Sequence, residues 1–376
     1  MSLRAVAVLT AGTLLAGCSL VDAIFTPPEG AGSQLPTRAE QPSQPPLPAN
    51  RFVLAEGQDV VGELQITRAR GEDTFVEFAR TYGLGFDELR DANPGVDPWL
   101  PGDETPIVLP TRFVLPDAPR EGIVLNVAAK RLYYYPPVIN GEPKVVETYP
   151  IGIGREDWAT PTGATTVVAR TRDPIWFVPA SIRQEHAEMG DPLPPQVPPG
   201  PDNPLGSRVL QLGLPGYLIH GTNKPAGVGM RVSHGCVRLY PEDIESLYDR
   251  IPVGTPVRIV NQPLLLGRSG NDLLLEVHPP LAEDERDVLS EFGQRTAYHT
   301  RAMPNGAAAI DLSRVDLIAG ERRGFPVSVL AGGDDTAAML RQARWVQNVI
   351  VPEPLPEPEP ESEAGPVEQI ADIAAD

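Results

Sequence analysis

Proline sets the outer limits on this fold. Its ring fixes φ and leaves no backbone N–H, so a dense run of prolines builds neither a helix interior nor a central strand. The chain has 376 residues and 44 prolines, many of them in blocks that divide it. Residues 26–50, "TPPEGAGSQLPTRAEQPSQPPLPAN", hold seven prolines and few large apolar side chains. They read as the end of a linker over 18–50; as polyproline II, this stretch would span roughly 75 Å at ~3.1 Å per residue. Residues 191–204 hold seven more in fourteen, which reads as a stiff surface loop with no regular ladder, near the mouth of the site. From Pro352 the chain is Pro/Glu-rich, with eight acids and no base, so 351–376 reads as a disordered acidic tail.

Between the blocks there is room for two or three domains, and 41% hydrophobic residues suffice for a sizeable core. A net charge of −19 excludes nucleic acid as the expected partner, because phosphate binding needs Lys/Arg stripes. The plain meaning of the acidity is solubility. The N-terminus, "MSLRAVAVLTAGTLLAGC", has Arg4 and then an apolar run from Ala5 to Ala16. That run has the length of a signal h-region and is too short to cross a bilayer as a mature helix. Leu15-Ala16-Gly17-Cys18 resembles the bacterial lipobox. The resemblance implies a signal peptide over 1–17, acylation of Cys18 and a membrane anchor; the alternative is an ordinary signal peptide with a chance cysteine. Ser19, where Asp would hold such a lipoprotein at the inner membrane, implies the outer membrane, facing the periplasm. With Cys18 taken by lipid, Cys236 is alone in an oxidising compartment, where a free thiol must be buried or reactive.

Residues 51–113 read as a small first domain. "DTFVEFARTYG" puts Phe75, Phe78, Ala79 and Tyr82 on one helical face, and "GFDELRDANPG" makes a second short helix with Phe86 and Leu89 inward. "LPGDETPIVLP" then gives a turn and a strand over 105–109. This βααβ order, with "ANPG" and "LPG" in place, resembles the LysM family of glycan-binding modules over roughly 50 residues, which implies peptidoglycan glycan strands as a partner. Residues 51–62 have no place in that family's form, and the alternative is a small helical spacer. Residues 120–261 read as a run of strands: "GIVLNV", "KRLYYY", "INGEPKVVETY" with an Asn140-Gly141 turn, "TPTGATTVVART", "RVLQLG", "GYLIHG" and "TPVRIV". Their spacing argues for a mainly β fold, a β-sandwich or barrel. "YPEDIESLYDRI" is the one helix expected there, with Pro241 in its first turn and Ile244, Leu247 and Tyr248 inward. An α/β extension over 262–350 follows, with a strand at "NDLLLEVHPPL" and helices at "EDERDVLSEFGQR" and "DTAAMLRQARWVQNVI".

Candidate chemistry gathers at "RVSHGCVRLY", residues 231–240. A cysteine nucleophile needs a base, something to orient that base, and donors for an oxyanion. His220 closes "GYLIH", and Cys236 follows sixteen residues later, so a loop over 221–232 can bring the two strand ends side by side. Ser233-His234-Gly235 would expose consecutive backbone N–H groups, and Gly235 permits the tight turn. A protonated histidine beside the sulfur would favour the thiolate. Plainer readings exist: a lone cysteine is more often a small core residue. His220, His234 and Cys236 as three zinc ligands is disfavoured by poor His-x-Cys spacing and no evident fourth ligand. His186, His278 and His299 read as structural.

"IHGTN" followed by "GMRVSHGCVRL" is similar to the signature of the YkuD-type L,D-transpeptidase catalytic domain. "IGIG", "TPTG", "DNPLG" and "IPVGTPV" support it in order. The resemblance implies Cys236 as acyl-accepting nucleophile, His220 as proton donor and acceptor, and Gly221 as its orienter through the carbonyl. Ser233, His234 and Gly235 would support or line the oxyanion region. Arg238, where many members have Asn, would bind a stem-peptide carboxylate, unless it is a strand-surface salt-bridge partner. The substrates implied are peptidoglycan stem peptides, with another stem amine, an outer-membrane protein amine or water as acceptor. No metal or organic cofactor is implied. A catalytically silent wall-binding lipoprotein is the rival from another class.

Overall fold

The computed structural model describes residues 44–139, 142–300 and 309–351. Cys18 with the expected signal peptide, the linker up to residue 43, the expected Asn140-Gly141 turn and the acidic tail from 352 lie outside the described residues. Residues 44–50, expected in the linker, are fixed to the fold: Gln44 bridges Val346, the Leu47 N–H donates to the Gln65 side chain at 2.8 Å, and Ala49 is buried.

The stretch 51–62 now has a place. β1 (Arg51–Val53) pairs with residues 145–147, far along the chain, and β2 (Val60–Gly62) precedes β3 (Gln65–Arg68). Then come α1 (Phe75–Thr81), α2 (Phe86–Ala92), β4 (Pro106–Leu109), antiparallel to β3, and β5 (Arg112–Val114), antiparallel to β2. α1 begins at a reciprocal cap: Thr74 accepts from the Glu77 N–H, and the Glu77 carboxylate accepts from the Thr74 N–H at 2.7 Å. α2 stops at Asn93, whose side chain donates to the carbonyls of Leu89 and Val108 and accepts the Val108 N–H, at 2.7–2.8 Å. That one amide ties the helix end to β4. The strand–helix–helix–strand order is present, and Phe75, Phe78, Ala79, Tyr82, Phe86 and Leu89 are all buried.

The main sheet uses β6 (Gly122–Asn126), β7 (Arg131–Tyr135), β8 (Val145–Pro150), β10 (Gly163–Arg172), β13 (Arg208–Leu212), β14 (Leu218–His220), β16 (Val237–Arg238) and β17 (Pro256–Val260). Short pieces lie between them: β9 (Ile153–Gly154), β11 (Trp176–Phe177), α3 (Ala180–Glu188), β12 (Gln196–Val197), β15 (Arg231–Ser233) and α4 (Pro241–Tyr248). The nine strands run β1-β8-β7-β6-β17-β10-β13-β14-β16, with β6–β17 and β14–β16 parallel. The sheet curls round on itself: Gly152, just past β8, and Arg238, in the edge strand β16, exchange backbone bonds of 2.8 and 2.9 Å. The fold is mainly β, as the strand spacing called for, and takes the form of one curled sheet.

Alternation explains why "RLYYY" is buried along its whole length. Leu132 and Tyr134, with Ile123 and Leu125, fill the inside of the curl against Ile244, Leu247 and Tyr248 of α4. Tyr133 and Tyr135, with Val124 and Val146, pack the other way, against Phe75, Phe78 and Leu89 of the helical layer. The regions 51–113 and 120–261 therefore share one core through the outer face of β7, while the inside of the curl is a second core built mainly from 120–261.

The extension adds β18 (Leu264–Ser269), β19 (Asp272–Val277), α5 (Phe292–Thr300), α6 (Leu312–Glu321), β20 (Val327–Ser328), α7 (Thr336–Gln342) and β21 (Arg344–Trp345). β18, β19 and β20 form an antiparallel sheet, and its apolar side chains bury Leu64, Ile66 and Val108 from behind. Three details differ from the sequence reading. The helix expected from residue 283 is a 3₁₀ turn at Val288–Glu291 leading into α5. The helix expected through residue 350 ends at Gln342, because Ala343 is extended and β21 pairs in parallel with the edge of β3. The second proline block does contain a ladder: Gln196 and Val197, the two residues free of proline between Pro195 and Pro198, pair with β11.

Candidate active site

β14 and β16 lie parallel with Ile219 opposite Val237 and His220 opposite Arg238. Ile219 and Val237 are core residues, so strand alternation puts His220, Arg238 and, one residue before β16, Cys236 on the other face. The register thus makes Cys236 and His220 diagonal neighbours. The His220 Nδ1 lies 2.6 Å from the Gly221 carbonyl. A carbonyl only accepts, so this contact assigns the proton to Nδ1 and leaves the Nε2 lone pair as the base. The Cys236 Sγ, half-buried, contacts the Gly216 carbonyl at 3.6 Å.

The turn before the thiol is held from several sides. Ser233 Oγ donates to the Cys236 carbonyl at 2.6 Å, and Thr160 Oγ1 donates to the Gly235 carbonyl at 2.9 Å while accepting the Gly154 N–H at 3.1 Å. Gly235 has φ +98°, and a Cβ there would meet the Tyr217 ring at 3.0 Å, so both conformation and space demand glycine. His234 turns away from His220: its Nε2 is 3.0 Å from Glu185 Oε2, and its ring stands edge-on to Trp158 at 5.3 Å. The end of the proline block does border this region. Asn203 is buried and bonds the Pro174 carbonyl and the Leu205 N–H, while a Cβ on Gly206 would fall 2.8 Å from Thr222 N.

Residues 120–259 match the L,D-transpeptidase catalytic domain. The probable L,D-transpeptidase ErfK/SrfK of Salmonella typhimurium is 41% identical over 285 residues, 74% of this chain and 90% of that protein. The chain belongs to the L,D-transpeptidase family. Two further relatives are the probable L,D-transpeptidases YcfS and YbiS of Escherichia coli K12. They are 40% identical over 293 and 277 residues, covering 76% and 72% of this chain and 89% of each of those proteins. These alignments are longer than the catalytic match, so the similarity includes residues outside it. The chain therefore carries an L,D-transpeptidase catalytic domain, and the site just described lies inside it.

Burial dominates the electrostatics of that site. It lowers the His220 imidazole to about 3, with the Arg238 charge adding to the effect and the backbone carbonyls of Gly221 and Leu205 offsetting only part. Burial raises the Cys236 thiol, opposed by the Leu218 N–H and by Arg238. Both shifts favour the uncharged forms, a thiol and a neutral imidazole, where the sequence reading expected a protonated histidine to favour the thiolate. The cause is physical: enclosing both groups disfavours both charges. Arg238 has its own pKa lowered by burial, and its Nε has no partner. Among the described residues no carboxylate pairs with it, so the salt-bridge alternative has no acid to name. Among the described residues, no group of three His, Cys, Asp or Glu side chains is placed to hold a metal ion.

Sequence reasoning missed Glu185, Arg155, Trp158 and Thr160. All four precede β13 in the chain and reach the turn only through the fold. For Arg155, Trp158 and Thr160 the available signal was the "IGIGREDWATPTG" segment, whose Gly154 and Thr160 lie against the turn before Cys236, while Glu185 had none.

Proposed function

We propose that this protein transfers peptidoglycan tetrapeptide stems, releasing terminal D-alanine through a thioester on Cys236. The observation that carries the reading is the His220 ring, pinned by the Gly221 carbonyl on the strand face that also bears Cys236. Sγ attacks the carbonyl that joins the diamino acid to D-alanine, and the thiol proton passes to His220 Nε2. Backbone N–H groups of the 234–236 turn receive the oxyanion, their carbonyls already being held by Ser233 and Thr160. As the C–N bond breaks, His220 returns the proton to the leaving amine. An acceptor amine then attacks the thioester, loses its proton to His220, and the thiol is restored. Because the resting pair is neutral, proton transfer accompanies attack and no thiolate need stand beforehand. The acceptor is the amine of a second stem or of an outer-membrane protein, and water is the competing acceptor. Incubation with a disaccharide-tetrapeptide should release free D-alanine and add the disaccharide-tripeptidyl mass at Cys236, with both lost in Cys236→Ala. D-alanine release that survives Cys236→Ala would remove the nucleophile.

The layer β3-α1-α2-β4 is read as a LysM-like glycan contact that holds the enzyme on its substrate. Its strand order supports this, as do Trp99 and Leu100 in the loop before β4, exposed at 58% and 71% and able to lie against sugar faces. The anchor is lipid on Cys18, placing the protein in the periplasm at the outer membrane; the support is the sequence Leu15-Ala16-Gly17-Cys18-Ser19. Cys18→Ala should move the protein from the membrane to the soluble periplasmic fraction, and unchanged fractionation would remove the anchor.

A further inference from the structure

We propose that Glu185 is a positioning residue for acyl transfer, fixing His234 and through it the turn that presents backbone donors beside Cys236. The inference rests on the reading of Cys236 as nucleophile. Glu185 lies on α3, a helix that buries only Ile182, so packing alone ties it weakly to the sheet. Its carboxylate provides the link. One oxygen takes Arg155 Nη2 at 2.5 Å and the other meets His234 Nε2 at 3.0 Å. A carboxylate only accepts, so His234 donates from Nε2. The Arg155 backbone N–H in turn donates to the Ser233 carbonyl at 3.0 Å, next to His234 in the chain. Trp158, three residues on, closes the other side of the ring at 5.3 Å, and its carbonyl lies 3.3 Å from where a Gly235 Cβ would sit. His234 is thus gripped by a charge on one edge and an indole on the other, two residues before the thiol. A shift of this ring moves the peptide planes whose N–H groups must meet the oxyanion, and oxyanion stabilisation is sensitive to such displacement.

Two reagents separate positioning from architecture. A carbapenem acylates a thiol through a tetrahedral oxyanion, whereas iodoacetamide alkylates it by displacement with no oxyanion. In Glu185→Ala, carbapenem acylation of Cys236 and kcat for stem transfer should fall roughly 10- to 100-fold. KM and the iodoacetamide rate should stay within about threefold of wild type, a split that loss of an oxyanion contact predicts. Glu185→Gln keeps an acceptor for His234 and should recover most of the loss. Equal losses in acylation and alkylation, a raised KM with kcat intact, or a glutamine variant as impaired as alanine would each overturn the proposal. Wild-type protein inert to both carbapenem and stem peptide would overturn the reading of Cys236 and this inference with it. Active wild type with unaffected variants would overturn the inference alone.

Discussion

At the scale of single residues, the site encloses two groups whose burial favours their neutral forms and one cation with no acid partner among the described residues. Arg238 is half-buried with a free Nε, and its charge acts on both His220 and Cys236. Among the described residues it has no acid partner, and on the proposed reading, with Cys236 as nucleophile and a substrate that ends in a carboxylate, it is arranged for that carboxylate. A shielded bidentate contact contributes roughly 1.5–3 kcal/mol, so Arg238→Ala should lower kcat/KM on the order of 10- to 150-fold. Arg238→Lys, lacking the planar fork, should recover only part. If Arg238→Ala lowers the melting temperature while turnover of folded enzyme stands, the residue is architectural. The thiol makes a separate prediction. Its pKa is raised by burial, so the neutral form persists above the ordinary thiol range and thiolate appears only as pH climbs through the raised value. The alkylation rate of the free enzyme should therefore be slow at neutral pH and reach its midpoint above about 8.5, the value for an unperturbed cysteine. Arg238→Ala should move that midpoint higher still. A plateau already reached by neutral pH would show a standing thiolate and contradict the neutral pair.

At the scale of elements, the contact that matters most is α2 against β7. Arg131, fully buried, bonds both oxygens of Glu88 at 2.6 and 2.7 Å and Thr148 Oγ1 at 2.8 Å. Breaking such a pair from one side leaves a buried charge, at a cost of about 3–5 kcal/mol. Glu88→Ala should lose that much in urea unfolding, whereas Glu88→Leu with Arg131→Met should regain most of it. If the single variant unfolds like wild type, the pair does not hold the layers together. Neither residue stood out in the sequence, because each sits in a strand or helix where a surface charge is the ordinary expectation. Elements with local signals were legible: α1 from its apolar face, α4 from Pro241 and its acidic first turn, β14 and the "SHGC" turn from residues that carry their own chemistry. Elements decided by distant pairing were not. β1 has three residues and no pattern until β8 lies beside it, and β18 has an apolar run that reads as a strand only once β19 pairs with it. The segment after Gln342 keeps a helical apolar spacing, yet the open edge of β3 captures it as β21. The same divide runs through the site. His220, Cys236 and Arg238 lie within one short stretch, while Glu185, Trp158 and Thr160 reach it by tertiary folding.

At the scale of the whole molecule, the chain's last described residues close its first layer. β21 covers the β3 edge, and Val346 and Ile350 are buried in the core shared by α1, α2 and the main sheet. Polar links run alongside. Tyr82 donates to the Gln347 carbonyl at 2.9 Å, Arg70 donates to the Ile350 carbonyl at 2.9 Å, and the Asn348 amide donates to Asp73 at 2.5 Å. The helical layer is therefore held by β7 and β8 on one side and by residues 344–350 on the other, and a fragment of 51–113 lacks both. Such a fragment should be unfolded by circular dichroism, so glycan binding must be tested in the full chain. Ending the chain after Ala343 isolates the C-terminal contribution. It exposes the β3 edge and removes two buried aliphatic side chains, each contributing roughly 1.5–3 kcal/mol, so stability should fall by roughly 3–6 kcal/mol. The open edge should also promote association between chains. A chain ending after Val351 is the matched control and should melt like the full protein. The catalytic turn lies in the other core, so chains still folded at low temperature should retain their carbapenem acylation rate. Loss of acylation in a folded truncation, or equal melting of the two truncations, would show that the C-terminal strand does not act as the clasp of the helical layer.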